Sequence, residues 1–354
     1  MRRTLAVFLG SILQVCAVEP SGGNAKIYLG GRPGQIEIFD EKTETKTGEI
    51  KLKIGSPQTM ELSYDRKLFY VMNQNLEDVE VVDIASQKVT DTFHLSEGNK
   101  KVRIRGFEPD PSNSTAILLT KAASKLSDHF EIGPNIIQQY DLKEHKIIRT
   151  IPWPKGEEHE FASFKFSPDG KYLYMFGDDI LVFDTKEFKQ VDQWELSRPI
   201  EDGLGRIGFN SLDDFYEEPG FFTGTFQMQD PVQNRRIMGI ARVNLGQKSV
   251  DFFALGPAVP LRFALAPGRK NGYAIMSEIG RYEFWSFDLE HRQIDKRQEF
   301  QGRPRMAIKT SSNGKLLYIY QAGSTIDIYD ASTFKYLRTM SLDMDMSTPL
   351  YVLN

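Results

Sequence analysis

The groups best suited to ligate a metal or relay a proton are five histidines, His94, His129, His145, His159 and His291, and one cysteine, Cys16. No two of the histidines stand at a metal-binding spacing. Glu157-Glu158-His159-Glu160 offers ligand-type side chains. Contiguous residues rarely converge on one ion, so a solvated loop is expected there. His129 stands two residues from Glu131 and is expected to be hydrogen-bonded and structural. No Gly-x-Ser-x-Gly elbow, phosphate-binding loop or dinucleotide fingerprint occurs. One cysteine excludes a disulfide framework, a cysteine-clustered zinc site and a Cys-x-x-Cys-His haem attachment. With 44 basic residues against 48 acidic ones, there is no excess positive charge to neutralise a phosphate backbone, and no nucleic-acid partner is expected. No residue of the chain is therefore assigned as catalytic, cofactor-binding or metal-binding.

The elements that could position any remaining chemistry are repeated. Seven short β runs end in Asp or Asn, at Asp40, Asp83, Asp141, Asp184, Asn244, Asp288 and Asp330. Their spacings are 43, 58, 43, 60, 44 and 42 residues. Two insertions of roughly 15 residues account for the long gaps, leaving a period near 43, the length of a four-stranded propeller blade. The strand before each marker is rich in aromatic and β-branched residues, as in Leu68–Val71 and Leu316–Tyr320, and suits a pleated, half-buried surface. Ser167-Pro-Asp-Gly170 and Ser311-Ser-Asn-Gly314 supply tight turns. The recurrence of the Asp/Asn markers argues for architecture, each accepting a backbone N–H two residues on, rather than for a unique catalytic site. The predicted fold is all-β: a seven-bladed β-propeller of four-stranded antiparallel blades. Its first three strands and the C-terminal segment Met346–Leu353 would close the ring and remove its free edges. No linker divides residues 18–354, so one propeller domain is expected.

Arg2 and Arg3 precede the short apolar run Leu5–Ala17, which is too short to span a bilayer and ends in small residues. A secretory signal peptide over residues 1–17 is expected, cleaved near Ala17. The protein would then be periplasmic or secreted, with a net charge shifted from −4 to −6 by loss of the two arginines and with no cysteine. No later segment is apolar enough to span a membrane.

Function is sought where the chain departs from its repeat. The departures are Lys121–Asn135, Asp192–Pro219 and Gln227–Arg236, long loops of the kind that carry contacts on rigid scaffolds. Six arginines recur near the predicted inner strands: Arg103, Arg105, Arg206, Arg262, Arg303 and Arg305. Grouped at a channel mouth they would hold an anion or a partner's carboxylates. A one-residue slip in register would instead scatter them over the surface.

Ser167-Pro-Asp-Gly-Lys-Tyr-Leu-Tyr-Met175 resembles the opening of a repeat in the Tyr-Val-Thr-Asn superfamily of seven-bladed propellers. More narrowly, Asp128-His-Phe-Glu-Ile-Gly-Pro134, the order of the two insertions, and Phe284-Trp-Ser-Phe-Asp-Leu289 with the last blade resemble the β subunit of quinohemoprotein amine dehydrogenase. That resemblance runs from about Gly106 to Asn354. It implies a propeller that bears no cofactor itself. The propeller would seat a small quinone-bearing subunit, beside a cytochrome subunit carrying haem c, in a periplasmic complex that oxidises primary amines to aldehyde and ammonia. It also implies that His129, Phe130 and Glu131 face the partner. A chain without a mature cysteine agrees, since any redox cofactor must come from partners. The alternatives are a free-standing propeller that binds a protein or cell-surface ligand and, further off, a lactone hydrolase.

Overall fold

The computed structural model describes residues 19–177, 179–196, 207–213, 215–230, 232–302, 306–321 and 323–354. The leader expected over residues 1–17, including Cys16, lies outside the described residues. Strands β1 (Lys26–Arg32), β2 (Gln35–Asp40) and β3 (Lys46–Lys51) come first. They are followed by β4 (Pro57–Leu62), β5 (Leu68–Asn73), β6 (Asp78–Asp83) and β7 (Lys88–His94). Next are β8 (Lys100–Pro109), β9 (Thr115–Lys125), β10 (Phe130–Asp141) and β11 (Lys146–Ile151). Then come β12 (Ser163–Phe166), β13 (Tyr172–Phe176), β14 (Ile180–Asp184) and β15 (Gln190–Trp194). After these lie β16 (Ile207–Asp213), β17 (Phe221–Asp230), β18 (Arg235–Asn244) and β19 (Ser249–Pro257). The chain continues with β20 (Leu261–Leu265), β21 (Asn271–Glu278), β22 (Arg281–Asp288) and β23 (Gln293–Glu299). It ends with β24 (Ala307–Thr310), β25 (Leu316–Tyr320), β26 (Gly323–Asp330), β27 (Tyr336–Met346) and β28 (Tyr351–Leu353).

The fold is an all-β propeller, but the expected seven four-stranded blades are corrected. Among the described residues, hydrogen bonding defines five separate four-stranded blades, beginning at β4, β8, β12, β16 and β20. The other eight strands form one sheet in the order β24-β25-β26-β27-β1-β2-β3, with β28 paired to β1. The merger has a local cause. β27 outruns its hairpin, so that Met346 pairs with both Gly323 of β26 and Gly31 of β1. Gly31 permits this approach: a Cβ there would stand 2.4 Å from the Asp345 carbonyl oxygen. The chain ends also meet in this sheet, with Lys26 opposite Leu353 and Tyr28 opposite Tyr351.

Position in the blade sets the residue pattern. Middle strands pack neighbours on both faces and are buried along their length, as in Phe69–Asn73 of β5. Outer strands alternate, as in β7. The core is accordingly a series of clusters between blades. One example is Phe284, stacked at 4.0 Å on Phe300 and edge-on to Tyr329 at 4.8 Å. Aromatic contacts of this kind favour one blade spacing beyond the area they bury.

All seven marker side chains act as turn acceptors. Each takes the backbone N–H three residues on, from Thr43, Ser86, Glu144, Glu187, Gln247, His291 and Thr333. Asp141, Asp184 and Asp330 also take the one two residues on. The Ser-x-Asp/Asn turns are built alike. Ser167 Oγ donates to Asp169 and accepts from Tyr172 N, and Ser311 repeats this with Asn313 and Leu316. Gly170 and Gly314 follow at positive φ.

Candidate functional site

The first strand of each blade is innermost, and the inner strands β8 and β12, β16 and β20, and β20 and β24 lie side by side. Antiparallel order then gives the ring two unlike faces. One carries the first-to-second and third-to-fourth hairpins, with every marker turn. The other, the rim face, carries the second-to-third hairpins and the connections between blades.

On the marker face the channel is plugged. The turn between β16 and β17 crosses the ring, and its Phe215 is buried beside Tyr351 of β28, ring centres 6.5 Å apart. Arg66, between β4 and β5, donates to the Phe215 carbonyl oxygen at 2.5 Å and lies 4.8 Å above its ring. Lys309 of β24 stands 5.3 Å from the same ring. Tyr216 reaches the Thr310 carbonyl at 3.4 Å. Asp213 fixes the root of the turn by accepting Phe215 N at 2.9 Å and Leu265 N at 3.0 Å. Sequence reasoning placed Phe215 and Tyr216 in an insertion but missed the plug. Only their pairing across the ring distinguishes them from other loop aromatics.

Beside the plug lies a cavity of about 240 Å³ walled by Glu61, Glu108, Lys165, Phe222 and Tyr351. A cleft of about 490 Å³ between the β12 and β16 blades is walled by Phe176, Phe209, Leu212 and Phe222. Lys165 borders both spaces and pairs with Glu108 at 3.2 Å. Nearby, Glu217 takes a two-point contact from Arg242, with both bonds at 2.9 Å. Burial would raise the Glu217 carboxyl, but Arg242 and the Thr223 hydroxyl outweigh it and hold it below the ordinary range. Among the described residues no three His, Cys, Asp or Glu side chains are grouped to hold a metal.

The rim face carries the apolar side chains most open to solvent. Among the described residues, the five large apolar side chains most open to solvent are Phe130, Ile132, Phe161, Val232 and Ile279, from 61% to 98% exposed. Phe130 and Ile132 sit on an arm, Val232 and Ile279 on the β17–β18 and β21–β22 turns, and Phe161 on the β11–β12 connection. All five belong to this one face. The arm corrects the loop expected at Lys121–Asn135. β9 and β10 run on as paired strands, Phe130 opposite Lys125, and β8 joins them through Lys100 opposite Ser124. Bulges at Ile104/Gly106 and at Ile132/Asn135 bend the arm off the blade. At its root Asn135 is buried. Its N and Nδ2 donate to Glu158, and its carbonyl accepts Trp153 Nε1 at 2.7 Å.

The predicted residues divide into four groups. His129, Phe130 and Glu131 are all exposed at the arm's tip, with His129 Nδ1 2.8 Å from Asp128. Arg103 and Arg262 are exposed at the rim ends of β8 and β20. Arg105 is instead bound within the protein, 2.6 Å from Glu160 and 4.6 Å above the Phe161 ring. Its hydrogen bond and charge lower the Glu160 carboxyl below its ordinary value. Arg206, Arg303 and Arg305 lie outside the described residues. His145 and His291 are tied to Asp91 and Asp288, each at 2.7 Å.

No family model and no curated protein sequence matches the chain. Solved structures match it in fold. The chain is similar to hydrazine synthase of Kuenenia stuttgartiensis, with TM-score 0.51 and 14% identity over 95% of this chain and 100% of that one. It is similar to the dihydro-heme d1 dehydrogenase NirN, with TM-score 0.52 and 12% identity over 93% of this chain and 75% of that one. It is also similar to AztD from Citrobacter koseri, with TM-score 0.51 and 12% identity over 93% and 98%. These similarities establish the class, a β-propeller, and nothing of the chemistry, because unrelated functions share this architecture. Among the described residues no helix is long and apolar enough to cross a membrane.

Proposed function

We propose that this chain is the partner-seating propeller subunit of an exported quinohemoprotein amine dehydrogenase-like complex, working in the periplasm after removal of its leader. Its part is structural: it seats a small quinone-bearing subunit on the rim face and helps wall the substrate pocket. The observation that carries the partner-seating role is that, among the described residues, the five most exposed large apolar side chains lie on one face. Apolar surface collected on one side of a soluble fold is the mark of a protein-binding face. The amine dehydrogenase reading is supported by the segment Asp128–Pro134, which forms the tip of the arm on that face. It is consistent with a chain whose one cysteine lies in the expected leader and which must take any redox group from partners.

Purification of the native protein tests both levels. A small quinone-bearing chain and a haem-bearing cytochrome should co-elute with it, and the assembly should reduce a dye when given a primary amine. Co-elution with a partner that carries neither group would leave partner seating standing and remove the amine dehydrogenase role. A lone monomer would remove both.

A further inference from the structure

The arginines of this chain are distributed in a way that composition does not disclose. Most described arginine side chains are engaged within the protein. Arg242 and Arg269 pair with Glu217 and Glu218, Arg297 with Glu283, and Arg338 with Glu44. Arg66 and Arg149 donate to backbone carbonyls. Among the described residues, four exposed arginines make no side-chain hydrogen bond, ion pair or ring contact: Arg32, Arg103, Arg236 and Arg262. Arg32 ends β1 at its turn into β2, Arg236 is the second residue of β18, and Arg103 and Arg262 lie near the starts of inner strands β8 and β20. Every one of these positions is on the rim face. Unengaged lysines, by contrast, occur on the marker face too, as at Lys143 and Lys186.

A guanidinium is a weakly hydrated, planar five-donor group that matches a carboxylate in two-point geometry. Leaving four of them unengaged on one face of a chain with net charge −4 separates local from global charge. The same face also carries exposed carboxylates, among them Glu97, Asp128, Glu131 and Glu278, so recognition would rest on local two-point contacts at the four guanidiniums rather than on a net charge of the face. The same face holds the exposed Phe130, Ile132, Phe161, Val232 and Ile279. Aromatic residues and arginine together are the composition of interface anchors.

Resting on the partner-seating reading, we propose that the rim face recognises an acidic protein surface, with Arg32, Arg103, Arg236 and Arg262 meeting its Asp and Glu carboxylates around apolar contacts. The probe is fluorescein-labelled poly-L-glutamate, with poly-L-lysine and a single-stranded oligonucleotide as comparisons, titrated with the full chain and followed by anisotropy. Polyglutamate should bind, and more weakly as salt is raised to physiological ionic strength. Reversal of all four arginines to glutamate should weaken binding at least about ten-fold. The pair Lys143→Glu and Lys186→Glu, the same kind of change on the marker face, should not. Substitution of the four arginines by glutamine should give an intermediate loss and guards against an effect of misfolding. Absence of polyglutamate binding, equal weakening by the marker-face pair, or equal affinity for the oligonucleotide overturns the proposal. The outcome is separable from that of the partner-seating reading. A partner lost through apolar rim substitutions, with no polyglutamate binding, would leave seating intact and remove the acidic assignment. Arginine-dependent polyglutamate binding with no co-purifying partner would do the reverse.

Discussion

Arg66 and Phe215, 149 residues apart in sequence, meet twice: the guanidinium donates to the Phe215 carbonyl oxygen at 2.5 Å and lies 4.8 Å above the centre of its ring. The first contact fixes the backbone of the β16–β17 turn and the second fixes its side chain. Together they turn an insertion into the floor of the channel.

The two contacts can be separated. Phe215→Leu keeps the carbonyl and removes the ring, so a cycle with Arg66→Met isolates the cation–π term, expected at about 0.5–2 kcal/mol. Phe215→Ala, which empties a buried site, should cost about 3–5 kcal/mol in denaturant unfolding. A coupling near zero would mean that the ring contact adds nothing and that Arg66 holds the turn through the Phe215 carbonyl alone.

Gly31 is predicted to be the least replaceable glycine of the merged sheet. Its Cβ would meet backbone, the Asp345 carbonyl oxygen at 2.4 Å, which cannot move without breaking the pairing of β27 with β1. Gly31→Ala should cost about 1–3 kcal/mol, as overpacking does. Gly48→Ala is the control. Its nearest neighbour is the movable Gln87 amide at 2.9 Å, and a change within about 0.5 kcal/mol is expected. Equal melting temperatures for the two variants would refute the packing argument.

Asp330 predicts a pH dependence. Burial raises its carboxyl, but both hydroxyls and both backbone N–H groups of Ser332 and Thr333 outweigh this and hold it below the ordinary value. A carboxyl lowered in the folded state contributes stability above its unfolded pKa, about 3.9. That contribution is lost as pH falls through the lower folded value. Asp330→Ala should cost on the order of 1–2 kcal/mol near neutral pH. Asp330→Asn should cost less, since an amide oxygen serves at Asn244. The gap between wild type and Asp330→Asn should close as the solution is taken below about pH 4; a gap that widens would reverse the sign of the argument.

How much of this was legible depended on sequence distance. The marker turns were legible because each is closed within three residues of its Asp or Asn, so the pattern survives in the string. The fused eight-stranded sheet was not, because it depends on Met346 lying between Gly323 and Gly31, a relation between chain ends that no period contains. Arg103 and Arg262 were found because they lie near the starts of inner strands. Arg32 and Arg236, with the same chemistry, were missed because they flank second-to-third hairpins, which reach the rim only once the blade is assembled. Arg105 was placed near the mouth, but its bond to Glu160 in a blade-to-blade connection was invisible.

The arm yields the prediction that separates binding from folding. Excising Lys121–Asn135 removes Asn135, leaving Glu158 without its two donors and Trp153 Nε1 without its acceptor. A buried donor left unpaired costs about 1–3 kcal/mol, so this deletion should lower the melting temperature as well as any affinity. Phe130→Ser with Ile132→Ser changes only side chains already 66% and 61% exposed, and stability should stay within about 0.5 kcal/mol. If the arm anchors a partner, the same pair should weaken its binding roughly ten-fold or more. Thermal unfolding and partner co-elution, measured on both variants, give four readings, and one combination of them fits: the deletion unstable, the serine pair stable, and the partner lost from both.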